Sequence, residues 1–241
     1  MVRILCAGVV FAAAGTAHAS VQFFDGIGVP NTMGEELVEV TGAQFEARFK
    51  ADRFNWDSRL EYDGFPTTTD NTANVSNNLN DLGTRTYSFS LQHDATAGMV
   101  TWSITDTTSM AVTTLTLATD ANAVANTIKI FTNGSRGETD VSNLAFNGLG
   151  ESLVDADFPN LDTSPGTIVF EETLMFFGNA ADLYSADWTL SGDIAFRNFT
   201  NNNPNEGNKV TVKVQQSELI PTPGAAALLT FAGLAGVRRR R

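Results

Sequence analysis

Through residues 20–219, apolar and polar side chains alternate with a period of two, and no stretch carries the three-and-four spacing of a long amphipathic helix. Tyr87, Phe89 and Leu91 alternate with Ser88, Ser90 and Gln92, and Val100, Trp102 and Ile104 with Thr101 and Ser103. Ile128 and Ile130 flank Lys129, and Ile168 and Phe170 alternate with Val169 and Glu171. Trp188 and Leu190 flank Thr189, while Val210, Val212 and Val214 alternate with Thr211 and Lys213. Strands of this kind turn one face to a core and the other to water. Weaker patterns place further strands at 21–24, 37–40, 44–50, 59–62, 112–117, 141–146 and 194–199.

About a dozen short strands, punctuated by Gly, Asn and Asp, predict one all-β domain over residues 20–219, an antiparallel β-sandwich of jelly-roll type. Residues 92–99, with Gly98, read as a hairpin turn. A turn or two of helix fits best at 121–125 and 180–184. Residues 66–83, rich in Thr, Asn and Asp, read as a long surface loop, and the Asn-rich residues 201–208 as a tight loop before the last strand. No strict internal repeat is visible.

Composition narrows the chemistry. The chain has 241 residues, is 42% hydrophobic and 17% charged, and carries a net charge of −12. That balance argues against a nucleic-acid-binding surface, which would need a basic stripe. Cys6 is the only cysteine, and His18 and His93 are the only histidines. An intrachain disulfide is therefore impossible, and one histidine outside residues 1–19 argues against a His-rich zinc site.

The two ends differ from the body. Arg3, the apolar run 4–14 and the small residues Ala17 and Ala19 form the three parts of a secretory signal peptide in residues 1–19, with cleavage before Ser20. At the other end, residues 220–241 contain Pro221-Thr222-Pro223-Gly224, an apolar run to Val237, and Arg238, Arg239, Arg240 and Arg241. As a helix, 224–237 would measure about 21 Å against a hydrocarbon core of about 30 Å, short for a permanent span. The arginines would stay on the cytoplasmic side. Without both ends, 27 acidic side chains face 10 basic ones, a net charge near −17.

The C-terminal segment resembles the PEP-CTERM sorting signal of Gram-negative bacteria: a Pro-X-Pro motif, a short hydrophobic helix and a terminal arginine cluster. Pro221 and Pro223 match the two prolines, and Thr222 stands where the central glutamate is usual. The resemblance implies export, brief anchoring in the inner membrane, and processing by an exosortase, a membrane-embedded transpeptidase. The product would lie at the cell surface or in the extracellular matrix. In the body, the Ser/Phe strand, Thr101-Trp102-Ser103, the Ile-Lys-Ile strand, the run from Val141 to Gly148 and the Trp188 strand come in an order similar to the choice-of-anchor domains of W type. Those are exported β-sandwiches, and the resemblance brings no catalytic residues with it.

A search for chemistry gives little. His93 is the only histidine a Ser-His-Asp triad could use once the signal is removed, and Asn133-Gly134-Ser135-Arg136-Gly137 fails the nucleophile-elbow pattern at its first position. Glu171 and Glu172 are adjacent on a strand and so point to opposite faces, which prevents them from forming a glycosidase pair alone. Gly26-Ile27-Gly28 lacks the third glycine and the helix of a nucleotide site. Asp155, Asp157, Asn160 and Asp162 offer oxygen ligands at a density that suits calcium, although the spacing is not that of an EF-hand; the alternative is a set of Asx turns. Trp56, beside Asp57 in a polar stretch, is the best candidate for stacking on a glycan. No cofactor is expected.

These readings leave a non-catalytic surface or matrix protein, associated with biofilm or exopolysaccharide, as the first expectation. A glycan-binding module, with or without calcium, is the second. A carbohydrate-active enzyme would require two carboxylates about 5–9.5 Å apart in a groove.

Overall fold

The computed structural model describes residues 20–24, 35–40, 45–51, 56–61, 71–75, 84–119, 124–135, 137–158, 160–163, 170–177, 182–199 and 208–221; at 20, 71–75, 170–177 and 221 it fixes the backbone alone. The expected signal peptide, the apolar tail beyond Pro221 and the loop 201–207 lie outside these residues.

Alternation produces strands nearly everywhere it was strong. The strands are β1 (Ser20–Phe24), β2 (Glu35–Glu39), β3 (Phe45–Ala51), β4 (Trp56–Glu61), β5 (Asn71–Val75), β6 (Arg85–Asp94), β7 (Met99–Asp106) and β8 (Val112–Ala118). They continue with β9 (Thr127–Asn133), β10 (Glu138–Gly148), β11 (Glu151–Leu153), β12 (Phe170–Phe177), β13 (Trp188–Arg197), β14 (Asn208–Gln215) and β15 (Ser217–Pro221). A single 3-10 turn at Asp155–Asp157 is the only helical element among the described residues.

All pairings are antiparallel. A seven-stranded sheet runs β1-β12-β9-β14-β3-β4-β5, and a six-stranded sheet runs β11-β10-β13-β6-β7-β8. Their inner faces share one core, which makes the fold a β-sandwich. Phe49 of β3 sits at the junction, its ring 4.7 Å from Tyr87 and 5.7 Å from Phe196 of the opposite sheet. Trp102 is wholly buried, and its indole N–H donates across the core to the Ser58 hydroxyl at 2.9 Å. Each such aromatic contributes about 1.5–3 kcal/mol by burial.

Several expectations are corrected. The strand expected around Trp188 and the one at 194–199 are a single strand, β13. Gly192 lies between them, and a Cβ there would lie 2.9 Å from the Phe89 ring and 3.0 Å from Leu144. Glycine is needed because those side chains fill its space. Leu144 reaches it through a β-bulge between Ser142 and Ala145, with Asn143 at φ +53°, which moves the inward positions of β10 from Val141 to Leu144 and Phe146. Part of the loop expected at 66–83 is strand β5, paired with β4. No helix forms at 124–125 or 182–184, and the remainder of those two expected helices lies outside the described residues.

A third, small layer is the two-stranded ribbon of β15 and β2. Phe24 shares a row with Thr173 and Lys129, on the outer side of the seven-stranded sheet, and it packs with Leu37 of β2 and Leu219 of β15. The ribbon therefore covers one end of that face. Asn126 fastens it: its amide nitrogen donates to the Ser217 carbonyl at 3.1 Å, and the Ser217 N–H donates to its amide oxygen at 3.0 Å.

Candidate binding groove

Register brings outward side chains of separate strands into rows. On the six-stranded sheet one row reads Asn147, Thr189, Gln92, Thr101 and Thr116, and the next Ala145, Ser191, Ser90, Ser103 and Thr114. A third reads Ser142, Asp193, Ser88, Thr105 and Val112. Asp193 is the only charged residue in these rows. Both of its oxygens are occupied, one by the Ser88 hydroxyl at 2.6 Å and the other by the Asn143 amide at 2.7 Å.

The outer face of the seven-stranded sheet is the opposite. Its rows read Lys129, Lys213, Glu46 and Glu61; Phe131, Thr211, Arg48 and Arg59; and Asn133, Lys209, Lys50 and Asp57. Lys213 pairs with Glu46 at 2.9 Å, and Asp57 with Arg59 at 3.2 Å and Arg48 at 3.8 Å. Lys209 lies over the Phe131 ring, 5.0 Å from its centre. Burial, and then the charge of Arg48, holds the Lys209 ammonium below the usual lysine range. Arg48 Nε, Asp57 Oδ1 and Thr211 Oγ1 are buried without a hydrogen-bond partner among the described residues.

A groove of about 440 Å³ opens at one end of the neutral face. Its side is the row Asn147, Thr189, Gln92 and Thr101, and its end is formed by Asp94 and Asp187. The β6–β7 turn shapes that end. Asp94 accepts from the Ala97 N–H and Asp187 from the Ala95 N–H, both at 2.8 Å, and Gly98 takes φ +61°. Opposite, β10 passes close to β13 at Gly148, where a Cβ would come within 2.3 Å of the Trp188 Cβ. Leu149 and Gly150, at φ +56° and +83°, then make a tight hairpin into β11.

His93 also lines the groove but is buried, stacked on Trp188 and edge-on to Tyr184. Its Nδ1 lies 2.9 Å from the Ala186 carbonyl oxygen, which can only accept, so Nδ1 carries the proton. A backbone carbonyl thus occupies the position a triad carboxylate would need.

The other sequence-predicted residues stand apart from the groove. Trp56 opens β4 half-buried, packed on the core with its ring 5.5 Å from Phe49. Asp155 accepts from the Leu144 N–H at 2.7 Å, Asp157 from Val154 at 2.8 Å, Asn160 from Asp162 at 3.0 Å and Asp162 from Val141 at 3.1 Å. All four cap the backbone, two of them tying the 155–162 segment to β10. No three His, Cys, Asp or Glu side chains among the described residues come together closely enough to hold a metal ion. Glu171 and Glu172 face Phe131 and Ile130 in register and so fall on opposite sides of β12. Ser20 is the first residue of β1, and Pro221, the last of β15, pairs with Glu35. Thr222, Pro223, Gly224 and the four terminal arginines lie outside the described residues.

The groove was missed because its members come from four strands and are adjacent only through register. The available signal was the run of uncharged outward positions in β6 and β7, from Thr86 to Gln92 and from Met99 to Thr105. No protein-family model matches the chain, and no curated protein matches it.

Proposed function

We propose that the chain is an exported, non-catalytic surface or extracellular-matrix protein of a Gram-negative bacterium, sorted by its two ends. Signal peptidase would cut between Ala19 and Ser20, and an exosortase-like transpeptidase near Pro221–Gly224, after brief anchoring in the inner membrane. The observation that carries this reading is the pattern of the two ends: Arg3, an apolar run and Ala17-His18-Ala19 at one, and Pro221-Thr222-Pro223-Gly224, an apolar run and four arginines at the other. The described strands between them run from Ser20 to Pro221. The β15–β2 ribbon keeps the residues before the second cut attached to the body.

The strand order supports the jelly-roll form of the sandwich. Four strands, β3-β14-β9-β12, face four others, β6-β13-β10-β11. Taken in chain order, the first of these eight pairs with the last and the second with the seventh, as in two interlocked Greek keys. The hairpin partners β4-β5 and β7-β8 widen each sheet at one edge.

A second reading, a glycan-binding module, is favoured by the groove, where carboxamides, hydroxyls and two carboxylates converge with no cation among them. The sorting reading is tested by the intact mass of the protein recovered from cell surface and medium. A chain that starts at Ser20 and ends between Pro221 and Gly224 is expected. Recovery of residues 20–241 whole and membrane-bound would reduce the tail to a simple anchor.

A further inference from the structure

We infer that the groove takes an uncharged polysaccharide, whose chain crosses β10, β13, β6 and β7 along Asn147, Thr189, Gln92 and Thr101. The inference rests on the glycan-binding reading and adds the class of polymer and its path.

The donors and acceptors fit sugar hydroxyls. Carboxamides and hydroxyls each donate and accept, as sugar hydroxyls do. The Gln92 amide nitrogen donates to Ser90 Oγ at 3.1 Å, which ties the side chain to the neighbouring row. Asp94 and Asp187 each use one oxygen on the turn, and the second oxygen of each can accept a charge-assisted hydrogen bond.

Charge selects against acidic polymers. The row bears no cation, Asp193 beyond it is already satisfied, and Asp94 and Asp187 at the groove's end would repel a uronate or sulfate. Geometry selects for length. Four strands at their ordinary spacing span about 14 Å, enough for several linked sugar rings. Each bond to a hydroxyl competes with water and is weak alone, so affinity accumulates along a chain. Acidic polymers would instead meet their complement on the Lys/Arg rows of the opposite face.

The test uses affinity electrophoresis of the protein recovered from the cells that make it, through gels containing dextran or hydroxyethyl cellulose as uncharged polymers and alginate as the acidic one. Retardation by an uncharged polymer is expected, unchanged by added salt and not competed by glucose at matching sugar concentration. Gln92→Ala with Asn147→Ala should weaken it roughly tenfold, equivalent to two ordinary hydrogen bonds lost. Thr189→Lys, a separate change at a solvent-facing position, should weaken it as much, and Lys50→Ala on the other face should leave it unchanged. Thermal unfolding at the native midpoint shows that each variant is folded. Retardation by an uncharged polymer that survives both groove variants overturns the inference, as does retardation by alginate alone that Lys50→Ala weakens; either result keeps the glycan-binding reading. No retardation by any polymer overturns both.

Discussion

The two outer faces of this sandwich rest on one core and arise from the same alternation, yet they share almost no chemistry. Across β9, β14, β3 and β4, every outward position in three rows except Phe131, Thr211 and Asn133 is charged. In the three rows across β10, β13, β6, β7 and β8 only Asp193 is, and the other charges of that face, Asp94, Glu138, Asp140 and Arg197, lie beyond those rows at its two ends. Folding does not demand the difference, since a solvent-facing strand position tolerates either kind of side chain. The charged face satisfies much of itself through ion pairs and is covered at one end by the β15–β2 ribbon. The neutral face has no such cover among the described residues and ends in a groove. Inward positions of a sheet report the fold; outward positions, once register assembles them, report the ligand.

The largest effect should come from the core that joins the faces. Trp102→Ala removes a wholly buried indole and leaves the Ser58 hydroxyl without its donor, at a cost of about 3–5 kcal/mol. Denaturant unfolding should still show a single transition with both sheets lost together; two transitions would mean the faces belong to separately folding halves. Asn126→Ala should cost about 1–3 kcal/mol, because it leaves both groups of Ser217 without their partner. Hydrogen exchange should quicken in β2 and β15 and stay unchanged at the groove.

Tyr87 gives a smaller effect of opposite sign. Its hydroxyl is buried without a partner among the described residues, and burial, followed by the nearby Asp106 charge, pushes its phenol up to about 12. In the unfolded chain the phenol ionises near pH 10. Stability from this group is therefore complete below about pH 10 and is lost as pH rises toward 12. Tyr87→Phe should stabilise the protein by about 1 kcal/mol and flatten that alkaline decline in a series of thermal melts. The smallest effect belongs to the charged face: Glu46→Gln should cost at most about 1 kcal/mol, less in high salt, with no change at the groove.

Much of this architecture was legible in the sequence. Tyr87, Phe89 and Leu91, or Val210, Val212 and Val214, announce buried faces because hydrophobic period and strand period coincide. Asn71–Val75 carries no apolar alternation and pairs through its backbone, so it read as loop. The two parts of β13 read as separate strands because what fills the space at Gly192 between them, Phe89 and Leu144, comes from two other strands. The same limit hid the groove: Asn147, Thr189, Gln92 and Thr101 are ordinary solvent-facing residues until register sets them side by side. The Asp155–Asp162 cluster stood out locally, and its side chains are engaged on backbone amides, Asp157 and Asn160 within the segment and Asp155 and Asp162 on β10.

The most direct test of the contrast between the faces is amide hydrogen exchange on the recovered protein, with and without saturating uncharged polysaccharide. Slowed exchange confined to the β6–β7 turn and the β10–β11 hairpin would match the account. Slowed exchange in β3, β4 and β14 instead would place the ligand on the charged face and contradict it.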